Sequence, residues 1–246
     1  MVIGDEILDG RRQDAHVDAL RRLLTPIGID LAYVLFLPDN LVVLTAQLRW
    51  AFARPEPFFG CGGIGSTPDD LTREAAAAAA AVPIERHPEG EAILRGRWGK
   101  EATPARLRMV DFPEGAALIP NPVNQVPGFS IRNGHFVPGF PEMARPMMQW
   151  VIEHHFTAGE PRHAETLILR GVREADLVDL METFIAAHPD VSLSSLPRFV
   201  KGGGTELHLG IKGSRRGVVL EALGALENAL QAAGVAISNE GPSTRN

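Results

Sequence analysis

The run Cys61-Gly62-Gly63-Ile64-Gly65-Ser66-Thr67-Pro68-Asp69-Asp70-Leu71-Thr72-Arg73-Glu74 constrains the fold of this chain more than any other segment, because it joins a strand end, a flexible turn, a helix start and two carboxylates. Its clustered glycines permit positive φ angles and leave no Cβ to block a ligand, so main-chain N–H groups can converge on an oxygen-rich group. Thr67 fits an N-cap, with Pro68, Asp69 and Asp70 in the first helical turn, the Thr-x-x-acid arrangement of a capping box. The pattern predicts an alanine-rich helix over 68–81. Its unpaired N–H groups and positive dipole end favour a phosphate beside the turn. Asp69 and Asp70 would repel that phosphate unless a divalent cation bridges them, which points to Mg²⁺ or a similar hard ion. A plainer description fits as well: a strand, a tight turn and a capped helix that bind nothing.

The flanking pattern sets the architecture. Met1-Val2-Ile3 reads as the last part of a buried strand whose first residues are missing, which suggests an alternative start site or a truncated chain. A loop over 4–10 precedes a helix from about Asp14, with Val17, Leu20 and Leu24 at helical spacing and a stop before Pro26. Residues 29–37 are apolar and rich in strand formers. A helix from Asn40 carries Leu41, Leu44, Leu48 and Ala51 on one face, and 57–60 form a short strand into the glycine turn. Strands alternating with amphipathic helices predict an α/β fold, a three-layer, mostly parallel sheet flanked by helices. Ligands of such sheets sit beyond the carboxyl ends of the strands, where the acidic loops 4–10, 38–39 and 62–70 would meet in one crevice.

Residues 83–115 read as a peripheral excursion with short helices near Pro88 and Thr103-Pro104. Short strands over 116–119, 129–132 and 135–137 surround the loop 121–128. A second strand-to-glycine-to-helix junction follows at Pro138-Gly139-Phe140-Pro141-Glu142. Met143, Met147, Met148, Trp150 and Val151 make the apolar side of its helix, or alternatively a subunit interface. Beyond a linker at 157–162, strand 165–169, helix 174–187, strands 191–196 and 206–211 and helix 216–233 give a βαββα order. The expected domains are 1–157 and a small α+β domain over 163–238. Polar and apolar residues alternate over 206–211, so one face of that strand is expected to be wet. Lys201-Gly202-Gly203-Gly204 suits a hairpin turn, and 240–246 a frayed tail.

Composition removes several function classes. The net charge of −6, with acids and bases interspersed, gives no electrostatic reason for a nucleic-acid partner. Basic pairs such as Arg11-Arg12 read as solvated faces or single anion contacts. A single cysteine, Cys61, excludes an intrachain disulfide framework and a multi-cysteine zinc site, and suits a reducing compartment. No apolar run is long enough for a membrane span or signal peptide, so the reading is cytoplasmic. His154 and His155 are adjacent and cannot share a zinc from one helix face. Neither a Gly-x-Ser-x-Gly elbow nor a lysine after a long glycine loop is present.

Five ordered motifs carry a family resemblance over about residues 2–155: Ile3-Gly4-Asp5-Glu6-Ile7-Leu8-x-Gly10-Arg11, Gly62-Gly63-Ile64-Gly65-x-Thr67-x-Asp69-Asp70-Leu71-Thr72, Pro120-Asn121-Pro122-Val123, Pro127-Gly128-Phe129 and Pro138-Gly139-x-Pro141-Glu142-Met143. They resemble the MoaB/Mog molybdopterin-binding fold and, within it, the N-terminal domain of CinA-type competence/damage-inducible proteins. The deamidase domain that often completes CinA-type chains is absent from this sequence. The resemblance implies that Gly62, Gly63, Gly65, Ser66 and Thr67, with Asn121, Pro122, Gly128, Gly139 and Glu142, hold the phosphate or substrate. It implies catalytic roles for Asp39 and Asp70, metal contacts from Asp5, Glu6, Asp69 and Asp70, molybdopterin as ligand and a homo-oligomer. His16, Ser66, Pro68 and Asn124 depart from the usual family residues, which are Asn, Pro, His and Gly.

Three functions follow. The first is a pterin- or nucleotide-phosphate binding protein, adenylyltransferase-like, with Asp39 and Asp70 placing Mg²⁺. The second is a divalent-metal-dependent pyrophosphatase on dinucleotides such as ADP-ribose or FAD. The third is a noncatalytic binding module, favoured by the His16, Pro68 and Asn124 departures.

Overall fold

Short, almost wholly apolar strands can be stable only where helices cover both their faces, and the first part of the chain meets that condition. In the computed structural model, which describes residues 1–200 and 204–238, β1 (Val2–Ile3) leads into α1 (Asp5–Leu8), α2 (His16–Leu24), β2 (Phe36–Leu37), α3 (Leu41–Phe52), β3 (Phe58–Cys61) and α4 (Thr72–Ala80). A peripheral pair, β4 (Ile84–Arg86) and β5 (Asp111–Pro113), brackets α5 (Pro88–Trp98) and α6 (Pro104–Leu107). Next come β6 (Ala117–Ile119), β7 (Gly128–Ile131), β8 (Gly134–Val137) and α7 (Pro141–His155). The sheet order is β2-β1-β3-β8-β7-β6. Its first four strands are parallel, while β7 pairs antiparallel with both β8 and β6. The loops after β1, β2, β3, β6 and β8 therefore all emerge at one end.

Local chemistry explains where the helices begin. The Asn40 side chain accepts from Val42 and Val43 N–H (3.0 and 3.1 Å) and so opens α3. Asp14 does the same for α2, accepting from the N–H of His16 and Val17 (2.9 and 3.1 Å). α3 buries Leu44, Leu48 and Ala51 against Ala75, Ala76, Ala79 and Ala80 of α4, whose small side chains allow close approach. Leu41, expected on that buried face, is exposed.

Two expected elements are shorter than their sequence suggests. α4 begins at Thr72, not at 68. Residues 67–70 form a turn instead, with Asp70 N–H donating to Thr67 O at 3.1 Å, so the Thr67 capping box does not form. Of the apolar run 29–37 only Phe36 and Leu37 are strand. The neighbouring β1 offers just Val2 and Ile3 as ladder partners, and residues before Phe36 have no strand to pair with.

In α7, Met147, Met148 and Val151 are fully buried and form the interior of this part of the chain, while Met143 and Trp150 are half-buried and Trp150 lines a surface groove with Pro122 and Pro146. The Phe129 and Phe136 rings stack at 4.6 Å in the core cluster that α3 and α4 cover. Gly128 belongs to this core, since a Cβ there would lie 2.3 Å from Phe136 O.

The chain divides into two units, Met1–Pro26 with Asp30–Ala158, and Ile27–Ile29 with the chain from Gly159 onward. The second holds β9 (His163–Arg170), α8 (Val178–Ala187), β10 (Val191–Phe199), β11 (Thr205–Gly213) and α9 (Arg216–Ala232). Its antiparallel sheet, ordered β10-β11-β9, packs Leu167, Leu169, Leu207, Leu209 and Ile211 against Phe184, Val219 and Leu226. The alternating face of β11 is not wet: Glu206 and His208 are buried, with Arg170 Nε donating to Glu206 Oε1 at 3.0 Å. The hairpin expected at Lys201-Gly202-Gly203 and the tail at 240–246 lie outside the described residues. Among the described residues no helix is long and apolar enough to cross a membrane.

Candidate functional site

At the common strand end of the first unit a cavity of about 440 Å³ opens, a volume within the range of small-molecule sites. The glycine turn forms one wall. Gly62 (φ 109°) and Gly63 (φ 68°) are obligatory here: a Cβ would come within 2.2 Å of Ile3 O at the first and 2.3 Å of Thr72 Oγ1 at the second. Thr72, wholly buried, ties α4 to the turn by donating its hydroxyl to Gly62 O and its N–H to Gly63 O, both at 2.9 Å.

Asp70 has a role that its spacing did not reveal. Its carboxylate accepts from Gly65 N–H and Thr67 N–H, each at 2.8 Å, and from the Thr67 hydroxyl. Two of the amides that would greet a phosphate therefore already hold the loop's own anion. The N–H groups of Gly63, Ile64 and Ser66, residues that line the cavity, have no acceptor among the described residues.

The acidic wall comes from the loops after β1 and β2. Asp5 N–H donates to Asp39 Oδ2 at 3.0 Å and Asp39 N–H to Asp5 Oδ1 at 3.3 Å, a reciprocal pair that latches the two loops. Partial burial, followed by the negative charges of Asp5, Glu6 and Asp69, holds the Asp39 carboxyl above its usual range, although the Asp5 N–H pulls the other way. Glu6, Asp39 and Asp69 all line the cavity. Among the described residues, however, no three His, Cys, Asp or Glu side chains stand close enough to hold a metal ion by themselves.

The sequence-predicted residues thus divide. Glu6, Asp39, Gly62, Gly63, Gly65, Ser66, Thr67, Asp69, Asp70, Asn121 and Gly139 are brought together at the cavity. Asp5 reaches it only through its link to Asp39. Pro122 faces a separate groove with Pro146 and Trp150, Gly128 is in the core, and Glu142 is exposed on α7 outside the lining. Asn121 is buried and accepts from Val123 N–H at 3.0 Å while donating to Asn124 Oδ1 at 2.7 Å, which shapes the opposite rim.

Sequence reasoning missed the apolar lining of Met109, Val126, Phe140 and Met143, and it left Arg12 open between a solvated face and a single anion contact. Phe140 occupied the unspecified position of its own motif, and nothing in the Arg11-Arg12 pair told which of the two, if either, would reach an anion site. Their signal lay in adjacency, since each directly follows or precedes a glycine-loop motif residue.

A cavity of small-molecule size, free turn amides and an acidic rim at the ends of parallel strands together make a candidate ligand site of an α/β domain. A family model described as a probable molybdopterin binding domain matches residues 1–158, and the chain belongs to that family. Within it, the chain is similar to a CinA-like protein of Geobacter sp. (35% identical over 86% of this chain and 52% of that one) and to one of Citrifermentans bemidjiense (35%, over 84% and 51%). It therefore spans about half the length of these curated relatives. A solved structure of CinA from Thermoplasma acidophilum, described as of unknown function, superposes with a TM-score of 0.57 at 25% identity, covering 62% of this chain and 93% of that one.

Proposed function

We propose that the strand-end cavity binds the phosphate of a pterin or nucleotide and, in the manner of a molybdopterin adenylyltransferase, positions it for metal-assisted chemistry. The observation that carries this reading is the pairing, in one cavity, of unsatisfied turn amides at Gly63, Ile64 and Ser66 with the crowded carboxylates around Asp39. Donors on one wall suit phosphate oxygens; mutual repulsion on the other suits a cation.

The residues fit a metal only of a particular kind. Among the described residues a closed protein cage is missing, but Mg²⁺ characteristically takes one or two carboxylates and completes its shell with substrate phosphate and water. Asp39 and Asp69 would hold it, Glu6 beside them. When bound, the ion would neutralise phosphate charge and polarise the phosphoryl group. The chain's own contribution is orientation: Asp70 keeps the turn in shape, the amides of 63–66 direct the phosphate, and Met109, Phe140 and Met143 offer an apolar surface to a flat ring. The proposed assembly is a homo-oligomer in the cytoplasm, without nucleic acid or membrane partners.

The dinucleotide pyrophosphatase reading rests on the same wall of carboxylates. Incubation of the purified protein with ADP-ribose or FAD, with and without Mg²⁺, Mn²⁺ or Co²⁺, separates the two: metal-dependent AMP release establishes the pyrophosphatase. Absence of product, together with saturable binding of a phosphorylated pterin, establishes the molybdopterin reading. Absence of both overturns the proposal.

A further inference from the structure

We infer that Arg12 is the specificity-determining residue of this cavity, favouring ligands with two linked phosphoryl groups over ligands with one. The inference rests on the phosphate-binding reading above and names its substrate class. Four carboxylates, those of Glu6, Asp39, Asp69 and Asp70, line the cavity, and among the described residues Arg12 is the one cationic side chain that does. The turn amides supply donors for a single phosphoryl group. A second one, carrying further negative charge into an acidic space, has no charged donor to meet except Arg12.

The position of Arg12 suits that task. Its N–H donates to Glu6 O at 2.8 Å, which fixes where the side chain leaves the loop. The guanidinium lies 5.4 Å above the ring of Phe140, the residue just before α7, at the cavity rim. It stands 3.9 Å from Glu6 Oε1, within ion-pairing range but beyond hydrogen bonding, and makes no side-chain hydrogen bond among the described residues. Phe140 thus steadies the plane of the guanidinium while its N–H fork stays available. A planar fork can grip a phosphoryl group by two parallel bonds, which a lysine cannot. As a merely structural element Arg12 would matter little: an exposed ion pair of this length contributes almost nothing to stability.

The test is calorimetric titration of ADP and AMP, with Mg²⁺, into wild type, Arg12→Gln and Arg12→Lys, with melting curves to show that each is folded. Wild type is expected to prefer ADP. Arg12→Gln is expected to lose ADP affinity by at least ~10-fold and AMP affinity by less than ~3-fold, the scale of a charge-assisted bidentate contact, and Arg12→Lys to recover part of the preference. Equal weakening of both ligands, unchanged ADP affinity in Arg12→Gln, or no ADP preference in wild type overturns the assignment. If wild type binds neither nucleotide, the Arg12 assignment is overturned before any variant is compared, whereas the phosphate-binding reading itself fails only if a phosphorylated pterin is not bound either.

Discussion

The two polar walls of the cavity are made from the same residue type and differ in how it is satisfied. On the glycine side, Asp70 accepts three hydrogen bonds from its own loop. On the acidic side, Asp39 receives one N–H from Asp5 and otherwise faces like charge, with its carboxyl held above the usual range. A carboxylate that is saturated with local donors stabilises the fold that presents it; one left crowded is a cost that a cation would relieve. The difference teaches that Asp70 belongs to the scaffold of the site and Asp39 to its working surface, although the sequence motif marks both equally.

The largest effect is expected where the glycine wall leaves no room at all. Gly62→Ala sets a Cβ against the main-chain oxygen of Ile3 in a left-handed conformation. Neither can yield cheaply, and a loss on the order of 3 kcal/mol or more is expected in urea unfolding. A midpoint equal to that of wild type would mean the turn is looser than described. Next in size is Asp70→Asn. Its amide can present only one oxygen, so either Gly65 N–H or Thr67 N–H is left facing an NH₂ group, and about 1–3 kcal/mol of stability is expected to go. Asp39→Asn is the counterpart. An Asn oxygen can still accept from Asp5, so stability is expected within ~0.5 kcal/mol of wild type, while Mg²⁺-assisted nucleotide binding falls. The comparison breaks if Asp70→Asn is neutral and Asp39→Asn is not.

Much of the architecture was legible because local and global signals agree. Asn40, Pro88, Thr103 and Pro141 mark helix starts by side-chain caps or fixed φ, and helices begin beside each of them. Legibility stopped where two local structures share one signature. Thr67-x-x-Asp70 describes a capping box and equally a carboxylate folding back on its own loop; burial of Thr72 against Gly62 and Gly63 decides for the second, and that is a tertiary contact. Likewise the polarity of Glu206 and His208 indicated a solvated face, but an ion-paired carboxylate can be buried, and alternation reports polarity and not exposure. In the site, the acidic loops were readable from the topology rule for parallel sheets. The apolar lining was not, and Arg12 stayed one of two alternatives, since side chains from loops far apart in sequence meet there only after the sheet order is known.

A smaller change tests how tightly the glycine wall is tied. Thr67→Val keeps the Thr67 N–H to Asp70 and removes only the hydroxyl donor. The expected cost is about 0.5–1.5 kcal/mol, the net value of one ordinary hydrogen bond, and thermal unfolding would measure it. A loss as large as that of Asp70→Asn would show that the hydroxyl, not the two amides, anchors the carboxylate.

The smallest effect belongs to the acidic wall and appears only as pH changes. Because the folded protein holds Asp39 above the carboxyl range of the unfolded chain, the protonated form is the one the fold prefers. The stabilising contribution is therefore fully present below the unfolded value of about 3.9 and is lost as pH rises through the folded pKa. Wild type should lose stability relative to Asp39→Asn over that interval, and the two curves should run parallel above it. Saturating Mg²⁺ should narrow the gap, because a bound cation favours the charged carboxylate and removes the penalty of its neighbours. Stability curves that are parallel throughout, with or without the ion, would mean that neither the partial burial of Asp39 nor the charges of Asp5, Glu6 and Asp69 raise its carboxyl in the folded protein. The acidic wall would then carry no more tension than the glycine wall opposite it.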